Sequence, residues 1–138
     1  MFNRGSEDTK DILVIDDNKD SLLLMQLILE QQGHRTSLAC CGKEGLFAID
    51  TTPPDLVILD LMMPDMSGLD LIEILKKDGN LRNIPILLLT ANIKLGKEDV
   101  TNADEVCHKP FEIDNLLIKI KSLLVRDRHS RALALSHI

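Results

Sequence analysis

Residues 56–59 of this chain, Leu-Val-Ile-Leu, form an apolar run with no polar alternation, and an acidic residue, Asp60, ends it. Alternation would suit a strand with one wet face. An unbroken run suits a strand covered on both faces, as in a parallel sheet between two helical layers. Two further runs, residues 12–15 (Ile-Leu-Val-Ile) and 86–89 (Ile-Leu-Leu-Leu), have the same character and also end in polar groups, Asp16-Asp17 and Thr90. A carboxylate at the end of a buried strand is costly to desolvate unless its charge is compensated, and in open α/β sheets ligands bind at the carboxyl edge of the strands. Asp60 is therefore the first candidate for chemistry. Pro64 and Gly68 mark a fixed turn after it, Gly68 by permitting positive φ, and a helix is expected from Leu69.

Helical patterns occupy residues 18–32, 42–49, 69–77 and 111–125. Asp17, Asn18 or Asp20 can cap the first and Gly33 can stop it. Thr51-Thr52-Pro53-Pro54 breaks the chain after the second, and Asp78-Gly79-Asn80 is a turn signal after the third. Residues 36–40 and 105–107 suit short strands, the latter leading into His108-Lys109-Pro110. Residues 91–102 have sparse apolar positions (Ile93, Leu95, Val100) around Gly96, so a fourth helix there is expected to be short or irregular. Strands alternating with helices at this spacing predict βα units with right-handed crossovers, an α/β fold of five parallel strands and five helices. Residues 1–10 read as a polar leader, 11–125 as one folded domain, and 126–138 as a tail or helix extension too short for an output domain.

The chain has 138 residues, 44% of them hydrophobic, enough for one sizeable core. Its net charge of -6 argues against direct binding to DNA or RNA, which rests on neutralising phosphates, and with three Phe and no Tyr or Trp it lacks stacking platforms. Cys40, Cys41 and Cys107 are odd in number and lack CxxC spacing, which favours neither disulfides nor zinc and fits a reducing cytoplasm. No run approaches a membrane span, and no membrane partner is expected.

In a parallel sheet all strands point one way, so Asp16, Asp17, Asp60, Thr90 and Lys109 should gather at one edge. Three carboxylates together repel unless a cation sits among them. A small set of all-oxygen ligands favours Mg²⁺, which keeps several waters and is typically completed by a phosphate oxygen. Asp can itself attack phosphorus, forming an aspartyl phosphate, with Mg²⁺ and Lys109 neutralising charge and the Thr90 hydroxyl donating to a phosphoryl oxygen. Singly, each residue has a plainer reading. Asp16 or Asp17 would cap a helix, Thr90 would bond nearby backbone, Lys109 would be solvated, and Met62, Met63 and Met66 would fill core. His34, His108, His129 and His137 read as surface residues, and Arg126, Arg128, His129 and Arg131 as complements to a helix C-terminus. What favours the site is that all five polar groups fall at strand ends.

Asp16-Asp17, the turn Asp60-Leu-Met-Met-Pro-Asp-Met-Ser-Gly68, Leu89-Thr90-Ala91 and Lys109-Pro110-Phe111 closely resemble the receiver domains of two-component response regulators, over residues 11–125. The resemblance implies a flavodoxin-like (βα)5 sandwich with strand order 2-1-3-4-5. It further implies Asp60 as phosphoacceptor, and Asp16, Asp17, Asp60 and the Met62 backbone carbonyl as Mg²⁺ contacts. Lys109 would pair with the phosphoryl group, and the Lys109-Pro110 peptide is often cis in such domains. The implied activity is that of a stand-alone receiver, taking a phosphoryl group from a histidine kinase or phosphotransfer protein and switching its affinity for a downstream protein, as a monomer or weak dimer. It would modify only itself and turn over no substrate.

Two features depart from the family pattern. Its switch aromatic, three residues before the lysine, is Val106 here, and the stretch between Thr90 and Lys109 is a few residues shorter than usual. Both fall on the usual output face, which motivates the alternative of an interaction module that works without phosphorylation. A phosphatase of haloacid-dehalogenase type is disfavoured because Met62 stands where its second Asp would be, and the Asp-Asp-Asn-Lys turn does not suit a flavodoxin phosphate loop. The first helix carries more leucine than packing requires. Leu23 and Leu27 are the expected excess, suited to docking a partner helix.

Overall fold

The computed structural model describes residues 9–91 and 102–136, with side chains as far as Val125 in the last helix. Five strands, β1 (Asp11–Ile15), β2 (Arg35–Ala39), β3 (Leu56–Asp60), β4 (Ile86–Thr90) and β5 (Glu105–His108), make one parallel sheet of order β2-β1-β3-β4-β5. Among the described residues four helices flank it: α1 (Lys19–Gln31), α2 (Gly42–Thr51), α3 (Gly68–Lys77) and α4 (Ile113–Ser136). The expected short helix within 91–102 lies almost wholly outside the described residues, as does most of the leader.

Two-sided burial explains the unbroken apolar runs. On β1, Ile12 and Val14 pack with α1 and α4, through Leu22, Met25, Leu29, Leu116 and Ile120. Leu13 and Ile15 face the other way, into a second cluster with Ile49 of α2 and Leu71, Ile72 and Leu75 of α3. Each fully buried Leu or Ile contributes about 1.5–3 kcal/mol relative to exposure, so β1, β3 and β4 anchor the fold. The edge strands lack this pattern. Only Ala39 of β2 and Cys107 of β5 are buried, which is why both were legible only as short segments. The three cysteines are free thiols.

The strand starts need partners for amides that the ladder does not use. The Asp55 carboxylate accepts from the Asp11 N–H at 2.8 Å, and Asp104 accepts from Ile86 N–H at 2.8 Å while pairing with Lys76 at 3.3 Å. Asn18 is the N-cap of α1, its Oδ1 accepting from Ser21 N–H at 3.0 Å, and Gly33 ends that helix with φ 88°.

Of the two readings of residues 126–138, the structure shows the helix extension, the backbone staying helical to Ser136. Three expectations change. Gly68 does not have positive φ; it is the first residue of α3, behind a capping box of Ser67 and Asp70. His34 is not a simple surface residue. It is half-buried after α1, and its Nδ1 accepts from Lys10 N–H at 3.2 Å. Met62 is no core filler, being 72% exposed, whereas Met63 and Met66 pack on the second cluster.

Candidate functional site

Parallel register carries the candidate residues to one edge. Ile15 pairs with Leu59, Asp60 with Leu89 and Thr90 with His108. Backbone bonds continue the ladder past the strands: Asp16 N–H donates to Ala39 O at 3.1 Å, Leu61 N–H to Leu89 O at 2.9 Å and Lys109 N–H to Thr90 O at 2.8 Å. Asp16, Asp17, Asp60, Thr90 and Lys109 therefore meet there, although they come from four strands.

Asp16 is buried, and its Oδ1 accepts from Asn18 N–H at 2.9 Å, which orients the other oxygen toward Lys109. Asp60 is buried as well, with 8% of the residue and 11% of its side chain exposed. Lys109 Nζ lies between the two, 3.2 Å from Asp60 Oδ1 and 3.4 Å from Asp16 Oδ2. Asp17 is exposed and completes a triad with one carboxylate oxygen from each residue, all within 4.8 Å of one another. Thr90 is buried at the end of β4. The Lys109-Pro110 peptide is cis, in keeping with the resemblance.

Burial pushes the Asp60 carboxyl above its ordinary range, and the Asp16 and Asp17 charges push the same way while Lys109 opposes them. Burial also works against the charged form of Lys109, but the Asp60 and Asp16 carboxylates outweigh it and hold the ammonium above its usual value. Among the described residues, Lys109 thus pairs with two of the three carboxylates, Asp16 and Asp60. That donor set, all oxygen and short of positive charge, fits a hard divalent ion such as Mg²⁺.

Two supporting residues escape a reading of the sequence. Asp65, in the turn after Asp60, accepts from Gly42 N–H at 2.9 Å and Lys43 N–H at 2.8 Å, capping α2 from another loop. Those backbone donors hold its carboxyl below the ordinary range. The available signal was negative: Cys41, at the N-cap of α2, makes no side-chain cap bond. Gly68 is the second. A Cβ there would lie 2.8 Å from Asp60 O and 3.0 Å from Leu61 Cα, so glycine lets α3 start against the backbone of the phosphoacceptor candidate.

A five-stranded parallel sheet of this order, with an acidic pocket at its carboxyl edge, defines the class of CheY-like α/β domains. The chain matches the family described as response regulator receiver domain over residues 12–121, and it belongs to that family. Among curated proteins it is 34% identical over 130 residues to the DNA-binding response regulator MtrA of Mycolicibacterium smegmatis, covering 91% of this chain and 55% of that protein. The chain thus spans about half the length of the MtrA proteins it matches. It is 30% identical to the polar-differentiation response regulator DivK of Brucella ovis, covering 84% of this chain and 97% of that one. Among solved structures, the receiver domain of the Francisella response regulator 1452 superimposes with a TM-score of 0.77 at 35% identity, covering 85% and 98% of the two chains. The chemotaxis response regulator CheY4 of Vibrio cholerae shares the fold, with a TM-score of 0.76 at 23% identity over 83% and 98%.

Proposed function

We propose that this receiver domain is a phosphorelay acceptor, with Asp60 as the residue modified. The observation that carries the reading is the placement of Asp60, buried at a strand end, hydrogen-bonded to Lys109 and grouped with Asp16 and Asp17. An Asp60 oxygen attacks the phosphorus of a phosphohistidine on a histidine kinase or phosphotransfer protein, the P–N bond breaks, and water later hydrolyses the acyl phosphate. Lys109 holds negative charge beside the phosphoryl group, and the Thr90 hydroxyl donates to one of its oxygens. Asp16, Asp17, Asp60 and the Met62 carbonyl would hold Mg²⁺, which when bound offsets the charge of the carboxylates and the phosphoryl oxygens. The protein modifies only itself and changes its affinity for a downstream protein, in the reducing cytoplasm that its free thiols fit. No helix among the described residues is long and apolar enough to cross a membrane.

The donor docks on α1. Leu23 and Leu27 are 56% and 59% exposed, an outward apolar stripe that the core does not use. Charging both should slow transfer from the kinase while leaving acetyl phosphate effective; an equal fall in both rates would assign them to the fold instead.

The primary test is intact-protein mass spectrometry of wild type and Asp60→Ala after incubation with acetyl phosphate, with and without Mg²⁺. One added phosphoryl group on wild type alone, and only with Mg²⁺, is expected. A folded wild type that gains none, tested with a rapid quench, would favour a module that binds partners unphosphorylated.

A further inference from the structure

Lys10 is fixed at the amino edge of the sheet. Its N–H donates to His34 Nδ1 at 3.2 Å, and its carbonyl accepts from Arg35 N–H at 2.9 Å. The segment that precedes it therefore leaves the fold from one defined point. That point opens on a groove of about 800 Å³, lined by Lys10, Gln32 and His34 on one side and by α4 on the other. The α4 wall is largely aliphatic. It includes Leu117 and Leu124, and Ile118, which is 66% exposed.

The groove is charged at both ends, with opposite signs. Helix α4 starts after the carboxyl end of β5 and runs back along the sheet, so Asp114, in its first turn, is at the carboxyl end of the groove. Lys121 lies on the same helix face, seven residues or about 10.5 Å further on, toward the edge where Lys10 stands. Read from Lys10, the groove is thus basic, then aliphatic, then acidic.

Residues 1–8 read Met-Phe-Asn-Arg-Gly-Ser-Glu-Asp. Taken outward from Lys10, the acids Asp8 and Glu7 come first, and Arg4 and Phe2 follow beyond Gly5. This order is the electrostatic complement of the groove taken from the same end. Six residues separate Arg4 from Lys10, a reach of up to about 20 Å when extended, so Arg4 can span the groove to Asp114 with slack. Gly5 accommodates the turn that uses up this slack and lays the Phe2 ring on Leu117 and Ile118.

We propose that residues 1–8 fold back on their own chain as a strap along this groove, with Phe2 seated on Leu117 and Ile118 and Arg4 paired with Asp114. The ring supplies the burial, while the ion pairs, each worth little alone, set direction. Because the segment is tethered at Lys10, its local concentration is on the order of mM, and a modest contact is enough to hold it.

Methyl NMR of the full chain tests this, with Ile, Leu and Val methyls labelled and Phe the protonated aromatic in a deuterated background. Wild type should show nuclear Overhauser contacts from the Phe2 ring to the Leu117 and Ile118 methyls. Their strength should be the same at about 100 μM and about 1 mM, since a contact within one chain does not depend on concentration. Phe2→Leu should remove those contacts and the ring-current shifts of the same methyls, which also assigns the signals against Phe47 and Phe111. Arg4→Glu and Asp114→Arg should each lose the contact, because each sets like charges together at the carboxyl end of the groove. The chain carrying both changes should regain it, which keeps the test decisive if Asp114→Arg alone weakens the start of α4. Three results would each overturn the proposal. One is the absence of any Phe2 contact with α4 in wild type. Another is a contact that strengthens with concentration, which would put the segment on a second copy. The third is a double variant with no more contact than the single ones.

Discussion

Gly68→Ala tests whether the start of α3 and the backbone of Asp60 are packed as one unit. A Cβ at this position would stand 2.8 Å from Asp60 O, 3.0 Å from Leu61 Cα and 3.1 Å from Leu88 Cδ1, where ordinary contact begins near 3.4 Å. Two of those atoms are backbone, so a rotamer change cannot relieve them, and α3 must move away from β3 by roughly 0.4 to 0.6 Å. The Gly68 N–H also donates to Leu61 O at 2.7 Å, so the same displacement strains a bond that closes the turn. Overpacking of this kind costs about 1–3 kcal/mol, and the better helix propensity of Ala returns less than about 1 kcal/mol at a first-turn position. The net expectation is a loss of about 1–2 kcal/mol, or roughly 3–10 °C in Tm for a domain of this size. Gly79→Ala is the internal control, because a Cβ there meets nothing within 4 Å and the change should stay within about 0.5 kcal/mol. Thermal unfolding of both variants by circular dichroism reads the difference. If Gly68→Ala melts with or above wild type while Gly79→Ala is neutral, the close approach of α3 to Asp60 is wrong.

The other expectations concern charge. Mg²⁺ bound at the three-carboxylate cluster should stabilise the fold by about 2.7 kcal/mol at a hundredfold excess over Kd and so raise Tm, and chelation should reverse this; Asp17→Asn should reduce the gain, and an equal gain in that variant would place the ion elsewhere. His34 is held below its ordinary value of 6.5 by burial and then by the Lys10 charge, with Asp55 opposing. As pH falls through 6.5 the unfolded chain therefore takes up a proton before the folded one does, and stability should decline until the folded imidazole titrates as well. Urea unfolding between pH 5 and pH 8 should show that slope in wild type and a flatter profile in His34→Gln. Asp65→Ala removes the cap that α2 borrows, so the Gly42 and Lys43 amides should exchange faster with deuterium while those of α3 do not.

What could be read from the sequence is what periodicity encodes. The runs at 12–15, 56–59 and 86–89 are unbroken because helices cover both faces of β1, β3 and β4, and a polar residue terminating such a run is conspicuous. Asp16, Asp60 and Thr90 were visible for that reason, and Lys109 became interpretable once a common strand direction was inferred. The remainder depends on two segments meeting in space. Asp65 lies 22 and 23 residues from the amides it caps, so its role has no local signature beyond a poor cap at Cys41. Gly68 suggested a turn, since glycine's freedom in φ is a property of the residue. Its actual constraint, the carbonyl of Asp60 against its Cα, belongs to the packing of α3 on β3. His34 was misplaced for the same reason, its partner being the Lys10 backbone N–H, 24 residues away, rather than a neighbour in sequence. The acidic pocket is therefore built at two levels. Strand ends, written as pattern, supply the reacting groups, and contacts between crossovers hold the turn after Asp60 in place. Substitutions at Asp65 and Gly68 should thus disturb the site without replacing any of the residues that would carry its chemistry.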